Sequence, residues 1–135
     1  KGWGLRVLED VKADQLLVEY VGEVIGPIER AKRMQEVRQH PRRIDAASLY
    51  VMQLAQNLFL DAKRKGGVAR FINHSCEPTC RLDRWRAGGR VRCAVFAKRD
   101  LAAGTELSFD YQWGHHKARQ KTKCLCGAPA CRGFI

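Results

Sequence analysis

The sequence predicts a mainly β fold with short helices, closed at its C-terminal end by a zinc-binding segment. Three observations carry this. Most apolar residues fall in short runs rich in Val, Leu, Tyr and Phe, separated by turns that contain Gly, Asp or Pro. Only Pro27 to His40 has clear helical spacing. Three cysteines crowd together near the end, as Cys124-x-Cys126-x4-Cys131.

Leu5 to Glu9 and Leu16 to Tyr20 read as short strands on either side of a polar turn, Asp10 to Gln15. Tyr20 to Val24 extends the second, with Gly22 marking a bend or bulge. Pro27 suits a first helical position, and Ile28, Ala31, Met34 and Val37 share one side of the helix it opens. His40-Pro41 ends that helix. Arg30, Lys32, Arg33 and Arg38 form its basic remainder, expected to be a solvated face.

Leu49 to Leu54 and Leu58 to Ala62 are the next strands, and Lys63 to Gly67 a basic turn. Cys80 to Arg86 and Arg90 to Ala97 flank Ala87-Gly88-Gly89, a hairpin signal. Its face carrying Val91 and Cys93 is expected in the core, which makes Cys93 an inert thiol. Leu101 to Gly104 turns the chain into Glu106 to Tyr111. Gly114 to Lys123 is polar and basic and reads as a mobile connector, its His115-His116 pair solvated rather than metal-bound.

A chain of 135 residues and 15.3 kDa suits one domain with a real core. The first residues form no secretory leader, and no apolar run is long enough to span a membrane. The abrupt opening suggests a piece of a longer protein. The net charge of +11 favours an anionic partner such as nucleic acid. Six cysteines would allow three disulfides, but the close C-terminal thiols suit tetrahedral zinc in a reducing compartment better.

The densest chemistry lies in Arg70-Phe71-Ile72-Asn73-His74-Ser75-Cys76-Glu77-Pro78-Thr79-Cys80. Apolar residues lead into an amide, an imidazole and a thiol, and Pro78 enforces a turn. This string resembles the Arg-Phe-x-Asn-His-x-Cys-x-Pro-Asn signature of SET-domain protein lysine methyltransferases, with Thr79 in place of the usual Asn. Glu106 to Tyr111 resembles the second signature of that family, Glu-Leu-x-Phe-Asp-Tyr. Gly2-Trp3-Gly4 is similar to its Gly-x-Gly strip, and Cys124 to Ile135 to its post-SET segment.

The resemblance implies small curved sheets around a pseudoknot, with the Asn-His-Ser-Cys segment threaded beneath the Phe-Asp-Tyr loop. It divides the chain into a SET domain (1–113), a basic connector (114–123) and a post-SET zinc segment (124–135). It implies S-adenosylmethionine (SAM) as methyl donor, held by Gly2, Trp3, Gly4, Ser48, Tyr50, Arg70, Asn73, His74, Tyr111 and Leu125. Tyr111 becomes the central catalytic group, with Tyr20, Tyr50 and Phe109 shaping a lysine channel. Structural zinc would sit on Cys76, Cys124, Cys126 and Cys131, with Cys80 the rival to Cys76.

The implied partners are the histone H3 tail in nucleosomes and, through the basic surface, nucleosomal DNA. No membrane is expected, and the location is the nucleus, on chromatin. Arg84-Trp85, Gly104 to Leu107 and Asp110-Tyr111-Gln112 resemble the histone H3 lysine-36 group, while Cys124 to Pro129 is equally like the lysine-4 group. A non-catalytic basic zinc module that binds nucleic acid would explain the charge and the cysteines. It leaves Asn73-His74 and Phe109-Asp110-Tyr111 without a purpose.

Overall fold

The computed structural model describes residues 2–39, 50–112 and 122–135. Among these described residues, eight strands and one α-helix make up the regular structure. They are β1 (Leu16–Glu19), β2 (Gly22–Ile25), α1 (Pro27–Gln39), β3 (Val51–Ala55), β4 (Leu58–Gly66), β5 (Asn73–His74), β6 (Cys80–Ala87), β7 (Arg90–Ala97) and β8 (Ser108–Phe109), with a 3-10 turn at Val68–Phe71. No helix among the described residues is long and apolar enough to cross a membrane. The chain forms two compact units. One comprises Lys1–Val18, Phe71–Asp83 and Val95–Ile135; the other comprises Glu19–Arg70 and Arg84–Ala94. A three-stranded sheet has the order β1-β7-β6.

The second unit is built on the antiparallel sheet β2-β4-β3. The bulge expected at Gly22 is present, as a register shift between Gly22 and Glu23. A Cβ on Gly22 would lie 2.6 Å from the Asp61 carbonyl oxygen, so the backbones approach closer than any side chain permits. Lys63 to Gly66 continues β4 instead of forming the expected basic turn. The β6–β7 hairpin turns on Gly88 (φ 58°) and Gly89 (φ 72°), the two positive φ values that a tight primed turn demands. Cys93, Val95 and Ala97 of β7 are buried, as their alternation requires.

Helix α1 forms where expected, but Ile28 and Ala31 on its apolar side are exposed. Ile28 is 87% exposed. The helix is held through Arg33, whose guanidinium bonds Glu29 at 2.7 Å, Asp61 at 2.8 Å and Glu23 at 3.0 Å. Asp61 is 2% exposed, and a buried carboxylate needs a cation. That need turns Arg33 toward β4. Arg30 also lies over the Phe59 ring, 4.7 Å from its centroid. The expectation of a solvated basic face therefore fails at Arg30 and Arg33.

In the first unit the expected strand Leu5 to Glu9 is reduced to an isolated antiparallel bridge, Arg6 with Glu106. Leu107 donates to the Leu5 carbonyl at 2.8 Å and Val7 to the Thr105 carbonyl at 3.1 Å. The partner segment then turns away at Gly104 (φ 84°), whose N–H caps the Val7 carbonyl. The pairing has no room to extend. The parallel pair β5–β8 matches Asn73 with Ser108 and His74 with Phe109, so the two signature segments lie side by side.

Candidate active site and metal centre

The first unit brings together the Gly2–Gly4 strip, Asn73, His74, Phe109, Tyr111 and the cysteine segment. A cleft lies beside the strip, lined by Gly2, Gly4, Arg6, Asn73 and Glu106. The Asn73 carboxamide nitrogen donates to Glu106 Oε1 at 2.8 Å and to the Trp3 carbonyl at 3.2 Å. A Cβ on Gly4 would stand 3.1 Å from both Asn73 Nδ2 and Glu106 Oε1, so this corner closes on bare backbone. Trp3 itself is 85% exposed.

Tyr111 follows β8. Its hydroxyl donates to the Ile72 carbonyl at 2.6 Å, which fixes the hydroxyl hydrogen. The Phe109 ring packs 4.9 Å from it and the His74 ring 5.3 Å, centroid to centroid. The Tyr111 N–H donates to His74 Nδ1 at 3.2 Å. The His74 proton therefore sits on Nε2, which donates to Cys76 Sγ at 3.5 Å. Burial pushes this imidazole below its ordinary pKa, against the pull of Asp110, and keeps it neutral.

Cys76 belongs to a cluster with Cys124, Cys126 and Cys131, whose sulfur atoms all lie within 4.8 Å of one another. Cys76 Sγ is 3.8 Å from Cys124 Sγ and 4.0 Å from Cys131 Sγ. A tetrahedron with metal–sulfur bonds of about 2.3 Å has edges of about 3.8 Å. A disulfide would need about 2.05 Å, and none of the six cysteines is joined in one. Backbone N–H groups of Cys76 and Ala128 pull the Cys126 thiol down to about 6, while burial pushes Cys124 up to about 12. Four thiolates cannot crowd here without a cation to offset their repulsion, and a dication removes the conflict. The N–H groups of Arg132 and Gly133 point at Cys76 and Cys131 sulfur, at 3.5 and 3.4 Å. The donor set could hold a zinc ion. Cys80 lies outside it, buried at the start of β6 beside the Thr79 hydroxyl.

The cysteine segment is tied to the second signature by charge. Arg132 makes a bidentate pair with Asp110, at 2.7 and 2.8 Å, and holds that carboxyl below the usual carboxylate range. In the second unit, Tyr20 is buried and donates its N–H to the Cys93 carbonyl. Tyr50 carries the Arg70 guanidinium 5.3 Å from its ring centroid, and Arg70 reaches the Ala62 and Lys63 carbonyls.

A family model for the SET domain matches residues 2–112. The chain belongs to the SET-domain family. Across all its 135 residues it is 43% identical to the histone-lysine N-methyltransferase ASHH1 of Arabidopsis thaliana. It is 42% identical, again over its full length, to an H3 lysine-36 specific histone-lysine N-methyltransferase of Emericella nidulans. An H3 lysine-4 specific enzyme of Saccharomyces cerevisiae is 41% identical over 98% of the chain. The chain spans only 26%, 13% and 12% of the length of these relatives.

Of the expected site residues of this SET domain, Gly2, Gly4, Asn73, His74, Phe109, Tyr111 and the four cysteines meet in one unit, and Tyr20, Tyr50 and Arg70 belong to the other. Ser48 and residues 114–121 of the connector lie outside the described residues. Leu125 is 64% exposed, between two cysteines of the cluster. Sequence reasoning gave no part to Glu106, Asp110 or Arg132. The first two stood inside a quoted signature as pattern letters, and Arg132 adjoins Cys131. Their partners are distant in sequence, so no local spacing marks them.

Proposed function

We propose that this SET domain is the catalytic part of a SAM-dependent histone lysine N-methyltransferase that acts on nucleosomal histone H3 at lysine 36. The observation that carries the reaction type is the Tyr111 hydroxyl. Its hydrogen is held by Ile72, so the oxygen is prepared to accept from a substrate amine and aim its lone pair. SAM, when bound, supplies a methyl group on a sulfonium, which needs no metal catalyst. Asn73 and the Gly2–Gly4 strip are the groups to hold the donor. His74 has both ring nitrogens engaged within the protein, so its share falls to the main chain. Phe109, Tyr20 and Tyr50 would wall the lysine, lower its pKa by desolvation and tolerate the methylated cation on their ring faces. The target amine must arrive neutral; its proton leaves to solvent before the nitrogen attacks.

Zinc on Cys76, Cys124, Cys126 and Cys131 is structural in this reading, since four thiolates close its coordination. Leu125 would cover the adenine. A purely nucleic-acid-binding zinc module has no use for the arrangement of Tyr111 with Ile72. The net charge favours a nucleosome over a free peptide, and a nuclear, chromatin location. Arg30 and Arg33 are engaged internally, so phosphate contact rests on exposed groups such as Lys32, Lys63, Arg64 and Lys65.

Relatives named for lysine 36 and for lysine 4 are 42% and 41% identical, so the choice of lysine rests on Arg84-Trp85, Gly104 to Leu107 and Asp110-Tyr111-Gln112. The test uses SAM with nucleosomes in which H3 lysine 36 or lysine 4 is replaced one at a time. Signal should vanish only with lysine 36, exceed that on free H3, and weaken with salt. Loss on replacing lysine 4 instead would move the domain to the other group, and signal with both replaced would remove the histone site.

A further inference from the structure

Glu106 is a half-buried carboxylate that the proposed chemistry does not use. Its oxygen takes one hydrogen of the Asn73 carboxamide, and the Trp3 carbonyl takes the other. With both hydrogens engaged, the amide's remaining hydrogen-bonding atom is Oδ1, an acceptor. Asn73 and Glu106 both line the cleft beside Gly2 and Gly4. The bare Cα of Gly4 lets both side chains reach this corner together, since a Cβ there would crowd each at 3.1 Å. The backbone of Glu106 is fixed independently, by its bridge to Arg6 and by the Thr79 hydroxyl donating to its carbonyl at 3.2 Å. The side chain is therefore delivered to one place.

We propose that Glu106 is a positioning residue for donor binding: it fixes the Asn73 carboxamide with its nitrogen turned to Trp3 and its oxygen left to accept from the donor's α-ammonium group. Without Glu106 only the longer bond to the Trp3 carbonyl opposes a flip that would present N–H to an ammonium, which repels it. The inference rests on the reading of Asn73 as a donor-binding residue.

Calorimetric titration of the purified domain with SAM and with S-adenosylhomocysteine tests it, because both carry the α-ammonium and only one the sulfonium. Glu106→Ala should weaken both by about tenfold or more, the scale of a hydrogen bond to a charged group. Glu106→Gln, whose amide oxygen still accepts from Asn73, should stay within about threefold of the natural domain. Adding Glu106→Ala to Asn73→Ala should cost little further. Melting temperature checks the fold of each variant; if Glu106→Ala does not fold, Glu106→Asp, with its carboxylate drawn back, carries the same expectation. Unchanged affinity in Glu106→Ala, or in Glu106→Asp where it stands in, overturns the proposal. So does a loss in Glu106→Gln equal to that in Glu106→Ala, or full additivity with Asn73→Ala. A natural domain that binds neither ligand would instead overturn the donor reading of the cleft, a separate failure.

Discussion

The cysteine cluster and the cleft beside the Gly2–Gly4 strip belong to the same unit but are organised in opposite ways. Around the cluster, polar groups turn inward. His74 Nε2 and the N–H groups of Arg132 and Gly133 all point at sulfur, and Arg132 ties the segment to Asp110. Around the cleft, interactions fix side chains and leave an acceptor over, at Asn73 Oδ1. A closed set of contacts stabilises, whereas an open one binds. His74 joins the two, with one ring nitrogen on the cluster and the other on the backbone of Tyr111.

The largest effect should come from breaking the cluster. Cys131→Ser is expected to lose its zinc and with it most of the folding free energy that metal binding supplies, on the order of several kcal/mol. Metal analysis should give one zinc per chain for the natural domain and for Cys80→Ser, and none for Cys131→Ser. Next comes an intrusion on the cleft alone. Gly4→Ala crowds Asn73 and Glu106 and should cut SAM affinity by about tenfold while zinc content stays unchanged. Loss of zinc in Gly4→Ala would erase the distinction between the two regions.

A smaller effect is expected from Arg132→Ala. The pair with Asp110 is partly exposed and screened by solvent, so its loss should lower the melting temperature by a few degrees at most, with zinc retained. The Asp110 carboxyl is lowered in the folded state, chiefly by Arg132. Its contribution is present at neutral pH and lost as the pH falls through that lowered value. The deficit of Arg132→Ala should therefore shrink in acid. Subtler still is Phe109→Tyr. A hydroxyl beside Tyr111 would crowd the amine, so the natural domain should give products beyond monomethyl-lysine and the variant mainly monomethyl. Mass spectrometry reads the difference.

Much of this was legible in the sequence. The β6–β7 hairpin was, because Gly88 and Gly89 are the residues that two successive positive φ values select. The cluster was, because three of its thiols are close in the chain and the signature supplied Cys76. Helix α1 was placed correctly but the turn of Arg33 toward β4 was not, since it is set by Asp61, a buried charge on that strand. Periodicity weighs apolar residues and is blind to a carboxylate that needs a cation. The Leu5 to Glu9 strand failed for a similar reason: its partner turns away at Gly104, far along the sequence. Glu106 was missed because its meaning lies in a contact with Asn73, which no spacing records.

The central claim is that Asn73 holds the donor and Tyr111 aligns the amine, as separate steps. Calorimetry with SAM on Asn73→Ala and Tyr111→Phe, set beside single-turnover transfer to nucleosomes, tests it most directly. Tyr111→Phe should bind SAM with nearly natural affinity and transfer nothing measurable, while Asn73→Ala should lose affinity itself. Normal SAM affinity in Asn73→Ala, or undiminished transfer in Tyr111→Phe, would contradict the account.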